Sequence, residues 1–262
     1  MICSVYFLSL LSLATGAVSS ILPWNPLDPG KPSTGYPSYP TYPTYPSDPD
    51  PSACPSCSKP KHCDNAGWDW AYYPNQLTNS GENYPGFRDD VFKTQTSTYT
   101  NVTSVIGQAS AFGTAIYNSS ATLDSSYFVL NQHAYLWACE KGTWQFDISG
   151  VDDLVLAWVG DLAYSGWTDH NANGRAVWTF QGTGSRTGSA SFTADLDRSA
   201  FVPVRFLFAN AQGGGAFKVT IISPSGIIVH QTGRVTNNDW MVRYSCSGAP
   251  NAPKFPSYGE EP

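Results

Sequence analysis

Charge is scarce in this 262-residue chain. Asp, Glu, Lys and Arg make up only 13% of it, and lysine and glutamate are few. The net charge of −6 comes with no basic stripe, which excludes the electrostatic footprint of a nucleic-acid binder. No stretch sustains a 3.6-residue apolar period, so a helical bundle is excluded. Beyond the first 20 residues there is no long apolar run, hence no candidate membrane span and no lipid-anchor tail. Signs of catalysis are missing too. There is no Gly-x-Ser-x-Gly elbow, and His62, His133, His170 and His230 lack metal or triad spacing. Gly182-x-Gly184 followed by Gly188 lacks the spacing of a nucleotide fingerprint. Glu82 and Glu140 are the only glutamates of the central part. A glycosidase needs two carboxylates about 5–9.5 Å apart across a cleft, and neither glutamate sits in such a context. The chain reads as a non-enzyme.

Aromatics, by contrast, reach 14%, and Thr, Ser and Val are abundant. That composition favours strands and an extracellular β-rich domain. Residues 1–20 read as a secretory signal peptide, with an apolar run from Ile2 to Val18 and small residues at Ala17-Val18-Ser19. Residues 21–60 read as a disordered spacer. Between Tyr36 and Ser47 a Tyr-Pro-Ser/Thr triplet repeats, and proline at every third position holds the backbone near polyproline II. Residues 61–246 form the globular part, and residues 247–262 read as a flexible tail.

Six cysteines are present. Cys3 leaves with the signal peptide, so Cys54, Cys57, Cys63, Cys139 and Cys246 remain, an odd number whose connectivity stays open. Cys54-x-x-Cys57 with His62-Cys63 admits a zinc reading, but disulfides fit an oxidising compartment better. Asn101-Val102-Thr103 and Asn118-Ser119-Ser120 are N-glycosylation sequons, again pointing to secretion.

Within the globular part, Trp144–Ile148 alternates apolar and polar residues, as a half-buried strand does. Leu154–Val159 is a continuous apolar run, as in a strand buried on both faces. Ala176–Phe180, Val204–Phe208, Phe217–Ile221, Ile227–Val229 and Trp240–Val242 read as further strands, and Ser223-Pro224-Ser225-Gly226 as a turn. Short strands with frequent turns indicate an all-β, antiparallel β-sandwich.

Two inter-strand segments carry chemistry. Gly150-Val151-Asp152-Asp153 offers adjacent carboxylates, and Asn210-Ala211-Gln212-Gly213-Gly214-Gly215 offers an amide and freely exposed carbonyls. Together they form the all-oxygen set that calcium prefers. Consecutive strand side chains point to opposite faces, so one ion held by both aspartates requires a departure from strand geometry. A non-proline cis peptide meets that requirement. The bland alternatives are a solvated turn at the aspartates and a loose hairpin at the glycines. Trp167 is a candidate stacking surface for a sugar, with the core as its alternative. Tyr164 reads as core, and Arg205 as half of a buried ion pair.

The combined pattern Gly-Val-Asp-Asp-Leu-Val-Leu-Ala-Trp-Val-Gly-Asp, Tyr164-Ser165-Gly166-Trp167 and Pro203 to Gly215 resembles the GLEYA domain of fungal adhesins. Trp70–Asn75 and His133–Ala138 resemble it as well, and the likeness runs from about Cys63 to Tyr244. The resemblance implies a protective-antigen-like β-sandwich and a calcium-dependent lectin. Its calcium ligands would be Asp152 and Asp153 joined by a cis peptide, the Asn210 side chain, and the carbonyls of Gln212 and Gly214. Carbohydrate would meet Trp167, Gln212, Gly213, Gly214 and Gly215, and the ligand would be a cell-surface or cell-wall glycan ending in a hexose such as mannose or galactose. The five-letter string that names the family is absent, and no Ser/Thr-rich stalk follows, so a freestanding secreted lectin, or a subunit of something larger, is expected. The alternative is a secreted structural or wall-associated protein that keeps the ion site without binding sugar.

Overall fold

The computed structural model describes residues 59–81, 83–108, 115–181, 184–234, 240–246 and 252–261. The signal peptide, nearly all of the spacer, Cys54 and Cys57 lie outside the described residues. The strands are β1 (Trp68–Pro74), β2 (Tyr99–Thr103), β3 (Phe128–Ala138), β4 (Gly142–Asp152) and β5 (Leu154–Val159), then β6 (Gly174–Val177), β7 (Thr179–Gln181) and β8 (Gly184–Arg186). They continue as β9 (Gly188–Leu196), β10 (Ala200–Asn210), β11 (Ala216–Ile222), β12 (Ile228–Gln231) and β13 (Met241–Val242). The α-helices among the described residues are single turns, α1 (Val91–Thr94) and α2 (Asp161–Tyr164), and none is long and apolar enough to cross a membrane.

Two antiparallel sheets stack face to face. The larger has the order β2-β1-β3-β10-β5-β6, with β13 on β3, and the smaller has the order β12-β11-β4-β9. The alternation read in the sequence fixes how they face. In β4, Trp144, Phe146 and Ile148 are buried, while Thr143 and Gln145 are exposed. Phe217, Val219 and Ile221 of β11 join them in one core with Trp68, Trp70, Phe206 and Phe208 of the larger sheet. Contacts across the sandwich include Phe208 on Phe217, with ring centroids 4.6 Å apart. Each such side chain contributes roughly 1.5–3 kcal/mol by leaving water.

The larger sheet is covered on its other face as well, which explains the unbroken apolar run of β5. Leu154, Leu156 and Trp158 point into a second core with Tyr84, Phe87 and Phe92 from the segment after β1, and with Trp167. Trp158 donates its indole N–H to the carbonyl of Thr168 at 3.0 Å.

Part of this cover comes from the C-terminal segment at 252–261, which corrects the expectation of a flexible tail at 247–262 for these residues. Phe255 and Tyr258 stack on His133, at 4.0 and 4.6 Å. Glu261 is 5% exposed, and its carboxylate lies 2.7 Å from Arg205 Nη2, with both side chains fully buried. That contact is a charge contact. The aligned hydrogen bond runs from Arg205 Nη1 to Glu261 Oε1 at 3.1 Å. A buried guanidinium demands a counter-charge, and the tail supplies it, so Arg205 is in a buried ion pair as its place in a strand implied.

Cys63 is disulfide-bonded to Cys246, and Cys139 is disulfide-bonded as well. Ser223–Gly226 forms the expected turn, closed by the Gly226 N–H on the Ser223 carbonyl at 2.9 Å. Ala176–Phe180 is not one strand. β6 ends at Val177, and the Trp178 N–H leaves the ladder for the carbonyl of Asp153 at 2.6 Å. β7 then pairs with β8 in a separate two-stranded sheet.

Candidate functional site

The chain changes sheets twice at the same place. It leaves the smaller sheet at Asp152, the last residue of β4, and enters the larger one at Leu154. It leaves the larger sheet at Asn210 and re-enters the smaller one at Ala216. Register brings these crossings together, because Ala209 pairs with Leu154 in one sheet and Ala216 with Asp152 in the other. The aspartate pair and the glycine-rich loop therefore sit side by side.

Asp153 links the two loops. Its Oδ2 accepts the Ala211 N–H at 2.7 Å, and its Oδ1 accepts the Asn79 side-chain amide at 2.7 Å. It is 4% exposed. The Asp152–Asp153 peptide is cis. Asp152 is half-buried. Burial, and then the charge of Asp153, push its carboxyl up to about 6. Among the described residues no lysine or arginine forms an ion pair with either aspartate.

Asn210 is fully buried. Its amide N–H group donates to the carbonyls of Ser125, Ala211 and Gly213, at 3.4, 3.3 and 3.1 Å. That orientation leaves Asn210 Oδ1 buried with no donor, and Asn79 Oδ1 is in the same state. A buried amide oxygen without a donor is costly. A hard cation shared with uncompensated carboxylates removes that cost, so the donor set fits calcium. Gly215 is needed for the arrangement, since a Cβ there would come within 2.7 Å of Asn210 Oδ1 and of the Phe208 ring. Gln212 and Gly213 are exposed and Gly214 is half-buried. Gly213 takes a positive φ of 85° that a residue with a side chain rarely adopts.

Beside this centre lies a cleft of about 310 Å³ lined by Asn79, Ser80, Gly81, Trp178, Phe180 and Gln212. Phe180 is 55% exposed, and its ring centroid is 6.2 Å from that of Trp178. Gln212 reaches across to the Asn79 carbonyl at 3.1 Å.

Trp167 is elsewhere. It is fully buried against Trp158, with its indole N–H donated to Glu261 at 2.8 Å. A ring with no open face offers a sugar nothing, so its expected role is corrected to core. The aromatic surface beside the aspartates is Trp178 and Phe180, hidden in the sequence inside what reads as one strand. Their signal is the Gly-Thr-Gly at 182–184 just after Gln181, a composition that marks a turn and so ends the strand early. Asn79 carries only the weak mark of an Asn-Ser-Gly turn. Asn101 and Asn118 are both exposed.

Residues 128–223 match the model of the GLEYA domain family. The GLEYA match spans β3 to the end of β11 and so contains both crossings. Two Schizosaccharomyces pombe proteins named as cell agglutination proteins are similar over part of the chain. One, pfl4, is 39% identical over 85 residues, which is 32% of this chain and 14% of that protein. The other, pfl8, is 32% identical over 103 residues, 39% of this chain and 24% of that protein. The chain thus spans less than a quarter of the length of these relatives. Among solved structures, the Epithelial Adhesin 6 A domain of Candida glabrata, determined in complex with Galb1-3GlcNAc, aligns with 78% of this chain and 96% of its own. Its TM-score is 0.51 at 22% identity, a likeness of fold. The GLEYA resemblance and the antiparallel sandwich read from the sequence are borne out.

Proposed function

We propose that this chain is a calcium-dependent glycan-binding protein of the adhesin type, acting outside the cell. The observation that carries the reading is the meeting of two sheet crossings. It sets a pair of uncompensated carboxylates beside a buried Asn210 Oδ1 that has no donor. Calcium is held by Asp152, Asp153, Asn210 Oδ1 and the carbonyls of Gln212 and Gly214. These five donors would leave one to three of its six to eight positions open. Bound there, the ion offers open coordination positions to vicinal sugar hydroxyls. Around them the chain's own residues set the ligand: Gln212 donates or accepts at the rim, Gly213 to Gly215 let a ring approach the backbone, and Trp178 and Phe180, inclined to each other by 40°, form an apolar aromatic wall. A terminal hexose, mannose or galactose, matches such a site, and the Galb1-3GlcNAc bound by the similar epithelial adhesin domain supports galactose. An extracellular setting is supported by the Cys63–Cys246 disulfide, by two exposed sequons, and by relatives named for cell agglutination.

The test is a glycan array run with the full chain in millimolar calcium and again in chelator, beside an Asp153→Asn variant. Hexose binding that disappears in chelator and in the variant supports the reading. Binding indifferent to both removes calcium from it. An array without signal, with calcium still raising the melting temperature, leaves a structural protein with an ion site.

A further inference from the structure

A second cleft lies away from the crossings, on the outer face of the larger sheet where β1, β2 and β3 meet the C-terminal segment. It measures about 410 Å³, inside the range of small-molecule sites and far above what an inorganic ion fills. Its wall includes Asp69, His133, Arg243, Tyr244, Lys254 and Tyr258.

Three polar atoms on these residues are buried without a partner: Arg243 Nε, His133 Nδ1 and the Tyr258 hydroxyl. Such atoms are rare singly, and here three border one cleft. Arg243 spends its other nitrogens on the Asp64 carbonyl and, at 3.5 Å, on Asp69. Lys254 forms no ion pair among the described residues. Its ammonium lies 5.2 Å from the centre of the Tyr244 ring, and the Arg243 guanidinium lies 5.5 Å from it. Burial holds His133 uncharged. Arg243 and Lys254 against Asp69 therefore leave one net positive charge. The aromatic walls are fixed, because Phe255 and Tyr258 are stacked on His133 and Glu261 anchors the segment that carries them.

We propose that this cleft is a second ligand site, one that takes an acidic sugar through its carboxylate. The carboxylate supplies the acceptor that Arg243 Nε lacks and balances the one positive charge that Asp69 leaves over from Arg243 and Lys254. Asp69 accepts from ring hydroxyls, and the rings of Tyr244 and Tyr258 meet the apolar face of the sugar. Binding here is electrostatic and independent of the loop site.

The test is calorimetric titration of the full chain with trigalacturonic acid and with neutral galactotriose, both in chelator, so that the loop site takes no part. The acid is expected to bind and the neutral trimer not. Affinity is expected to fall about tenfold from about 50 to about 500 mM salt. Lys254→Gln changes an exposed side chain and is expected to weaken binding about fivefold without moving the melting temperature. Absence of binding by the acid overturns the proposal, as does equal binding of the neutral trimer. Affinity that ignores both salt and Lys254→Gln overturns it too. Displacement of the trimer by equimolar sulfate also overturns it, leaving a plain anion site.

Discussion

Replacing Glu261 tests whether the C-terminal segment belongs to the fold. Its carboxylate is the counter-charge of Arg205, and both side chains are fully buried. It also accepts the Trp167 indole N–H at 2.8 Å and the Asn131 amide at 3.3 Å. In Glu261→Ala the guanidinium keeps the Ala163 carbonyl at 2.8 Å and Asn131 Oδ1 at 2.6 Å, but it faces no negative charge. Breaking a buried pair on one side costs about 3–5 kcal/mol. At about 2–4 °C per kcal/mol for a domain of this size, melting falls by roughly 6–20 °C. Glu261→Gln preserves shape and an acceptor for Trp167, so its loss isolates the charge. Arg205→Met combined with Glu261→Leu removes both charges and is expected to recover most of the lost stability. Tryptophan-fluorescence melting at neutral pH in chelator, with limited proteolysis read at the C-terminus, measures all three. A shift below about 2 °C for Glu261→Ala, with no new cleavage near residue 255, refutes the reasoning.

Asp152→Asn is expected to stabilise the calcium-free protein at pH 7. The folded carboxyl titrates near 6 against 3.8 ordinarily, so the folded state binds its proton more tightly than the unfolded chain and loses stability as pH rises through 6. With the half-exposed group screened by water, the gain is about 1–2 kcal/mol, and it vanishes by about pH 4; a gain that persists in acid contradicts it. Asp153→Asn sets an amide against the Ala211 N–H or the Asn79 amide. It is expected to cost about 1–3 kcal/mol and to abolish the rise in melting temperature on adding calcium, as differential scanning fluorimetry would show. Trp178→Ala is expected to weaken glycan binding about tenfold while melting is unchanged. Trp167→Ala is expected to cost about 3–5 kcal/mol of stability; reversal of these two phenotypes would place the sugar on the wrong ring.

The sandwich was legible because its strands obey local rules. The alternation of Trp144–Ile148 reports one wet face, and the unbroken Leu154–Val159 reports two dry ones. The aspartates and the glycine loop were legible as chemistry, yet their meeting depends on a register between strands some 55 residues apart, which composition does not encode. Trp167 misled because Gly166 and the polar run Thr168–Asn171 look like a surface loop. In the fold that run is a capped 3-10 turn that accepts the Trp158 indole N–H, and the partner of the Trp167 indole lies 94 residues away. The tail misled for a related reason. Pro253, Pro256 and Gly259 give it the composition of a linker, while its order comes from the buried Arg205 charge on β10 and from His133 on β3, on which its rings stack.

The Cys63–Cys246 bond closes a loop of 183 residues with its ends 5.8 Å apart at Cα. A pull on the chain ahead of Cys63 passes at once to β1 and, through the disulfide, to the segment after β13, and β1 and β13 both pair with β3. The strands between are bypassed by a covalent route. Load applied there can lift the domain as a whole but cannot unzip it from its first strand, and both sheet crossings lie inside the protected loop.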